Sequence, residues 1–286
     1  MTRSEVLDRG ELSVIGRIRS ASNATFLCEA TLGEHVQHCV YKPVRGEAPL
    51  WDFPDGTLAG RELASYLVSA ALGWNVVPYT IIRDGPAGPG MLQSWVDQPG
   101  DDEENPVDDA GPDLIDLVPA GKLPAGFLPV LQAYDYAGDE VVLVHADDDR
   151  LRRIAVFDVL VNNADRKGGH VLHGVDGGVY GVDHGVTLHV EDKLRTVLWG
   201  WAGRPLTEEE RDGVTRVLDG LDGLVRMKKV AAGVPVIVVS ALSDDRLIAA
   251  AIRAGASGFI PKHSQRSVFA AAFDRIWAGD VFTPEG

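Results

Sequence analysis

Strand patterns arranged around a single helix pattern dominate the first 97 residues of the chain. Short segments with apolar residues in a strand-like pattern recur at 11–18, 26–30, 37–42, 76–82 and 90–96. Thr57 precedes an apolar stripe that runs to Leu72, and Gly73 follows it, which predicts one helix with a polar start and a glycine end. Residues 1–97 are therefore expected to form a β-rich lobe that carries one helix.

A second lobe is predicted over residues 98–222. It opens with an acidic stretch among Pro and Gly, which is typical of a solvated loop. Asp148 leads into the first helix, and Thr207 with Glu210 forms a capping-box pattern at the start of the last one. The predicted elements are a helix over 152–161, strands at 171–173 and 179–182, and a helix within 205–221.

Residues 223–286 differ in character from the rest. The continuous apolar run at 234–240 is the mark of a buried parallel strand, and a second strand is predicted at 259–262. With a helix after each strand, the segment predicts a β-α-β-α unit, which is too small to form a stable closed sheet by itself.

Composition narrows the range of partners and compartments. The chain has 286 residues with 27 Lys and Arg against 42 Asp and Glu, a formal net charge of −15. This balance argues against nonspecific binding to nucleic acid, whose phosphates attract basic faces. The N-terminal residues lack the apolar core of a signal peptide, and no run approaches the ~20 apolar residues of a membrane span. A cytoplasmic protein with no stable membrane anchor is expected.

Cys28 and Cys39 are too few for a disulfide framework. They flank a predicted turn at Gly33, which would place them on paired strands. We expect two reduced, partly buried thiols, as in a cytosolic protein.

Four charged residues, widely spaced along the chain, match the parts that phosphoryl transfer needs. Lys42 ends a strand and would contact nucleotide phosphates, and Glu62 on the following helix would hold it through an ion pair. Asp165, in the loop between a helix and a hairpin, would orient or deprotonate the acceptor hydroxyl. Asp183, with a glycine two positions later, would ligate Mg²⁺, which prefers oxygen ligands.

A polar turn between the first two strands contains further candidates. The hydroxyl and amide groups of Ser22, Asn23 and Thr25, with nearby backbone N–H groups, could cover phosphates. Ser and Asn are also ordinary turn residues, so this pattern is weaker on its own.

These residues carry a resemblance to a known superfamily. The order of residues 40–43, Arg61-Glu62, residues 163–166 and residues 182–185 resembles the phosphoinositide 3-/4-kinase-like superfamily. Residues 49–54 and 198–203 resemble its small actinobacterial branch, and HipA-type kinases share the organisation. The resemblance covers about 11–221 and implies an α+β bilobal kinase-like fold with ATP in the cleft. It also implies a hinge near adenine that contains Gln93, Trp95 and Val96.

His170 departs from the pattern of that superfamily. The matching position usually holds an Asn as second metal ligand, and an imidazole favours Mn²⁺ or Zn²⁺ over Mg²⁺. His170 is therefore a candidate metal ligand beside Asp183, with Mg²⁺ or Mn²⁺ as the cation. It could instead donate a hydrogen bond to a phosphate.

A second resemblance covers residues 224–286. Residues 236–241 and 254–262 are similar to the second half of a response-regulator receiver domain, with Ser240 and Lys262 at the switch hydroxyl and the phosphate-contacting lysine. The first half of such a domain has no match upstream. This α/β half-receiver segment could pack on the rest of the chain, self-associate or bind a partner.

The predicted function is that of an ATP-dependent kinase that transfers the γ-phosphate to a hydroxyl acceptor. The acceptor is either an inositol or lipid head group, as the superfamily implies, or a protein Ser or Thr, as HipA implies. No basic amphipathic helix marks an anionic membrane surface, which disfavours a lipid. The alternatives are an enzyme that transfers AMP and a non-catalytic nucleotide-binding or interaction module.

Overall fold

The structure is a computed structural model of a mixed α and β protein. It describes residues 2–18, 23–53, 58–100, 113–189, 191–218, 235–240, 245–261, 264–277 and 279–284. The chain forms two compact units, one of residues 1–70 and 74–206, the other of residues 71–73 and 207–286. Ser22, Thr57, Lys262 and the predicted boundary between residues 222 and 223 lie outside the described residues.

The first unit begins with a five-stranded antiparallel sheet. Its strands are β1 (Glu11–Arg17), β2 (Phe26–Leu32), β3 (His35–Pro43), β4 (Thr80–Gly85) and β5 (Gly88–Ser94), in the order β1-β2-β3-β5-β4. The turn between β2 and β3 contains Gly33 at a φ of 62°, where a glycine adopts the left-handed conformation without strain. β4 starts later than predicted, after Pro78, which has no N–H to donate to a neighbouring strand.

The two cysteines confirm the predicted strand pairing. Cys28 lies directly opposite Cys39 in the β2–β3 register, and both are free thiols. They are fully buried rather than partly buried, because they belong to the core that the sheet forms with α1. Burial raises the pKa of the Cys39 thiol to about 12.

Two helices accompany this sheet. The sequence patterns did not predict the short helix α1 (Arg3–Arg9). A capping box between Thr2 and Glu5 caps its N-terminus. The predicted helix is present as α2 (Leu58–Leu72) and is followed by Gly73 at a φ of 71°. The Glu47 carboxylate accepts the N–H groups of the first two residues of α2, at 2.9 and 2.8 Å.

The remainder of the first unit contains a sheet that the sequence patterns did not predict. Strands β6 (Ile115–Pro119), β7 (Phe127–Tyr134) and β8 (Glu140–Ala146) pair antiparallel in the order β6-β8-β7. After it come α3 (Asp149–Leu160), which has Asp148 as its N-cap, and the antiparallel hairpin of β9 (Val171–His173) and β10 (Val179–Gly181). The helix and the hairpin agree with the predicted elements.

The second unit contains the predicted parallel pair of strands. It comprises α4 (Glu208–Leu218), β11 (Ile237–Ser240), α5 (Asp245–Arg253), β12 (Gly258–Pro261) and α6 (Arg266–Trp277). β11 and β12 run parallel, and Thr207 and Glu210 form the predicted capping box. Throughout the described ranges, no helix combines the length and apolarity needed to cross a bilayer.

Candidate functional site

An ion pair between the five-stranded sheet and α2 forms the centre of the candidate site. Lys42, near the end of β3, donates from Nζ to Glu62 Oε1 at 2.7 Å. Glu62 lies on α2 and is 1% exposed, and its second oxygen accepts the backbone N–H of His184 at 2.9 Å. The buried carboxylate therefore joins β3, α2 and the segment that follows β10.

Asp183 lies on the opposite side of the same ammonium group. Its Oδ1 accepts from Lys42 Nζ at 2.8 Å, and about half of its side chain is exposed. Burial by itself would lower the pKa of Lys42, but the charges of Glu62 and Asp183 outweigh it and raise that pKa. Likewise burial would raise the pKa of Asp183, but the charge of Lys42 outweighs it and the pKa is lowered. Lys42 and Asp183 are therefore both charged at neutral pH.

The backbone at Asp183 is unusual for a residue other than glycine. Its φ is 61°, in the left-handed region that Asn and Asp tolerate better than other non-glycine residues. The conformation turns the chain directly after β10 and leaves the Asp183 carboxylate next to Lys42.

His170 faces Asp183 from the end of the loop that contains Asp165. Its Nδ1 lies 3.0 Å from the Asp165 backbone carbonyl, which can only accept, so Nδ1 carries a hydrogen. Its Nε2 lies 3.4 Å from Asp183 Oδ2. An imidazole nitrogen and a carboxylate oxygen, both common metal ligands, are therefore neighbours at this point.

Asp165 adds a second carboxylate near Asp183 and His170. Its backbone N–H donates to the side-chain oxygen of Asn163 at 3.0 Å, and its Oδ2 is 2.8 Å from Lys167 Nζ. The Lys167 side chain is 64% exposed and that of Asp165 is 43% exposed, so solvent screens the pair. The carboxylate remains accessible to a hydroxyl group that enters from solvent.

A fully buried arginine connects the Asp165 loop to the segment around Asp183. Arg166 forms an ion pair with Asp158 of α3, with Nη2 and Oδ1 2.9 Å apart. The guanidinium also donates to the backbone carbonyls of His170 and Val182, each at 3.0 Å, and to His184 Nε2 at 2.7 Å. Because it bonds both segments, Arg166 fixes the spacing between them.

The predicted side chains surround one cavity of about 460 Å³. Those that line it are Asn23, Thr25, Lys42, Gln93, Trp95, Val96, Asp165, His170 and Asp183. Glu62 is not in the lining and instead holds Lys42 from behind. The apolar side chains of Ile18, Val40, Leu172 and Val182 complete the walls, and Lys167 adds a second cation.

Several of the polar groups predicted to bind ligand have partners within the protein. Asn23 Oδ1 accepts the N–H of Ala48 at 2.8 Å, and the Thr25 hydroxyl donates to the Asn23 carbonyl. The Gln93 side-chain amide donates to the Thr80 hydroxyl at 2.9 Å, and the backbone N–H of Trp95 donates to the backbone carbonyl of His38. These bonds stabilise the cavity walls.

Metal ligands are few in the described part of the chain. No group of three or more His, Cys, Asp or Glu side chains within those ranges is arranged to hold an ion. Asp183 and His170 provide two donors beside each other. This number suits a cation that completes its coordination with phosphate oxygens and water.

Three residues of this region, Asp158, Arg166 and Lys167, were not predicted from the sequence. Lys167 lies two positions after Asp165, a spacing that could have suggested their pairing. The pairing of Arg166 with Asp158 joins residues eight positions apart across a helix end, and no local pattern marks it.

Comparison with known proteins places the chain in a family. No protein-family model matches it, and no solved structure matches it. Protein Rv2133c of Mycobacterium tuberculosis is 71% identical over 219 residues, which are 76% of this chain and 78% of that protein. The chain belongs to the Rv2133c family. The name of this relative describes no reaction, so the chemistry of the family is argued from the site.

A second relative matches a shorter stretch. The glycerol metabolism activator of Pseudomonas putida is 40% identical over 67 residues, which are 23% of this chain. The chain spans 30% of that protein.

Proposed function

We propose that this member of the Rv2133c family is an ATP-dependent phosphotransferase with a bilobal kinase-like fold. The observation that carries the proposal is the position of Lys42 Nζ, 2.7 Å from Glu62 and 2.8 Å from Asp183, in the wall of a cavity that Asp165 also lines. The five-stranded sheet with α2 forms the first lobe, and residues 113–206 contribute the second.

The cavity suits a nucleotide in size and chemistry. Its volume of about 460 Å³ lies within the roughly 300–1,000 Å³ of typical ligand sites. Val40, Leu172 and Val182 offer apolar contact to a base, with the Gln93–Val96 segment beside them, and Lys42 offers a cation to phosphates. Glu62 keeps Lys42 in position, so less side-chain entropy is lost when phosphate binds.

The residues also suit one divalent cation, Mg²⁺ or Mn²⁺. Asp183 and His170 would hold it, and the hydrogen bond from His170 to the Asp165 carbonyl orients the imidazole, as is common for ligating histidines. A bound cation neutralises phosphate charge as the γ-phosphoryl group is transferred.

Asp165 is the base of the proposed reaction. The acceptor hydroxyl oxygen forms a bond to the γ-phosphorus, the bond from that phosphorus to the ADP oxygen breaks, and the hydroxyl proton passes to the Asp165 carboxylate. Lys167, 2.8 Å from Asp165 Oδ2, adds positive charge where the phosphoryl group would pass.

The acceptor is proposed only as a class. A hydroxyl of an inositol or lipid head group and a Ser or Thr of a protein both meet the requirement at Asp165. We propose a cytoplasmic enzyme whose C-terminal segment, residues 224–286, self-associates or binds a partner.

Calorimetric titration of ATP with Mg²⁺ and then Mn²⁺ tests the site, with Asp183→Asn as the variant. Asn removes the charge and tolerates the φ of 61°, so the fold is expected to survive and metal-dependent affinity to fall by tenfold or more. Asp139→Asn, at the exposed turn between β7 and β8, is the matched control. Equal affinity in Asp183→Asn and the wild type would show that the metal assignment is wrong.

Labelled ATP then separates the candidate activities. Label passed to an acceptor from the γ-position supports a kinase, and label from the α-position supports AMP transfer. Binding without transfer from either position supports a nucleotide-binding module.

A further inference from the structure

His184 bonds two parts of the candidate site without lining its cavity. Its side chain is fully buried, and it is not among the described residues that line the cavity. Its backbone N–H donates to Glu62 Oε2 at 2.9 Å, and its Nε2 lies 2.7 Å from Arg166 Nη2. The ring of Phe157 packs at right angles to the imidazole, with centroids 5.5 Å apart. His184 therefore contacts α2, α3 and the loop that follows α3.

The contact with Arg166 determines which imidazole nitrogen of His184 carries hydrogen. A guanidinium group can only donate, so Nε2 accepts and the hydrogen of the ring lies on Nδ1. Within the described parts of the chain, the buried Nδ1 has no hydrogen-bond partner. A buried donor without an acceptor destabilises the folded protein, and a phenylalanine would fill much of the same space without this penalty. The imidazole therefore points to a role for its Nε2 acceptor.

Arg166 needs that acceptor because its guanidinium is buried. Nε and Nη2 donate to the Asp158 carboxylate, and Nη1 donates to the backbone carbonyls of His170 and Val182, each at 3.0 Å. The second hydrogen of Nη2 goes to His184. Without the imidazole this donor would be left unpaired, since the Arg166 side chain is 0% exposed. The bond from Nη2 to His184 therefore helps to fix the orientation of the planar group.

The orientation of this guanidinium affects the two candidate metal ligands. Nη1 bonds the carbonyl of His170 itself and the carbonyl of Val182, the residue before Asp183. The Val182 N–H donates to the same His170 carbonyl at 2.9 Å. Asp183 is thus held on both sides, by the bonds of Val182 and by those of His184. Together these bonds maintain the separation of 3.4 Å between His170 Nε2 and Asp183 Oδ2.

We propose that His184 is a positioning residue that, by accepting from Arg166, holds Asp183 and His170 at the spacing a divalent cation requires. The inference rests on the proposed function, because it concerns the cation of the same site. His184 acts through Arg166 rather than by touching the cation. Groups that orient metal ligands from behind typically change metal affinity by roughly 10–100-fold when they are removed.

Calorimetric titration of ATP tests the proposal through the metal-dependent gain in affinity, defined as the ratio of the dissociation constants without metal and with Mn²⁺. His184→Phe removes the acceptor and keeps a ring at this position. The gain is expected to fall about tenfold in this variant, with ATP affinity in the absence of metal within about twofold of the wild type. A residue with only a structural role would change both affinities together and leave the gain as it is.

His184→Gln provides the conservative comparison. Its amide can reach the position of Nε2 and accept from Arg166, so most of the gain is expected to return. Phe157→Leu is the matched control, since it removes the ring that packs against His184 and leaves the bond to Arg166. It should lower the stability measured by urea unfolding, because it leaves a cavity in the core, while the gain stays within about twofold of the wild type.

Each other outcome contradicts the proposal. An equal gain in His184→Phe and the wild type overturns it and leaves the proposed function standing, whereas the absence of any gain in the wild type overturns both. An equal loss of gain in Phe157→Leu and His184→Phe would attribute the effect to packing and also overturns it.

If His184→Phe fails to fold, His184→Asn replaces it, because the shorter amide ends near the position of Nδ1 and does not reach Arg166. The gain is then expected to be lower in His184→Asn than in His184→Gln. Equal gains in these two variants overturn the proposal.

Discussion

At the scale of single residues, the Lys42 site depends on groups that have more than one partner. Glu62 bonds both Lys42 and the backbone of His184, and Arg166 bonds Asp158, two carbonyls and His184. The charged residues of the site were predicted from their order along the chain. The buried arginine was not, because its partners come together only after α3 and the β9–β10 hairpin have packed.

Buried histidines predict how stability depends on pH. Burial is the main cause that lowers the pKa of His145, and burial followed by the charge of Arg166 lowers that of His184. The unfolded chain therefore takes up protons below pH ~6.5 that the folded chain does not. Stability is expected to be fully present above that pH and to fall as the pH drops from 7 to 5.

His145→Gln tests this origin of the pH dependence. His145 Nε2 accepts the Gly200 N–H at 2.9 Å and Nδ1 donates to the Ala146 carbonyl, and an amide can replace both bonds without titrating. Urea unfolding at pH 7, 6 and 5 should show a shallower loss of stability in His145→Gln than in the wild type. The exposed His173→Gln is the control, and an unchanged slope in His145→Gln would contradict the assignment to this residue.

At the scale of elements, the N-terminus of α2 is capped by a carboxylate from outside the helix. The Glu47 carboxylate accepts the N–H groups of Leu58 and Ala59, and its charge also lies at the positive end of the helix dipole. The predicted N-cap, Thr57, is outside the described residues, so the contribution of Glu47 was visible only in the structure. Glu62 is on this helix, and the cap therefore helps to place the partner of Lys42.

Glu47→Gln is expected to lower the free energy of unfolding by about 1 kcal/mol, because the amide keeps one acceptor and loses the charge. Urea denaturation measures the change. Glu34→Gln, in the exposed turn between β2 and β3, is the control and should lie within about 0.5 kcal/mol of the wild type. A loss of the same size in both variants would attribute the effect to net charge rather than to the cap.

The three-stranded sheet β6-β8-β7 shows a limit of pattern reading. Its strands contain buried Val118 and Val144, but also exposed Leu117 and Leu131, so no clean alternation of apolar and polar residues marks them. Which face of this sheet is buried depends on how the sheet packs within the first unit.

At the scale of the whole molecule, the two units predict that nucleotide binding survives removal of the C-terminal segment. The described residues that line the Lys42 cavity all lie between Ile18 and Asp183 and belong to the first unit. A chain that ends at residue 222 should bind Mg-ATP with an affinity within about twofold of that of the full chain, measured by the same titration. Insolubility of the shortened chain, or loss of binding, would show that residues 223–286 complete the fold.

The sequence by itself determined several of the local elements and the charged residues expected to act together. Periodicity, caps and turn residues act over a few positions, so β2 and β3, α2, α3, the β9–β10 hairpin and the parallel pair β11–β12 were predicted correctly. The tertiary structure alone decided the register that brings Lys42 within 2.8 Å of Asp183 and the burial of Arg166 with Asp158. Those features join side chains from separate elements, and contacts of this kind depend on packing geometry that no local pattern records.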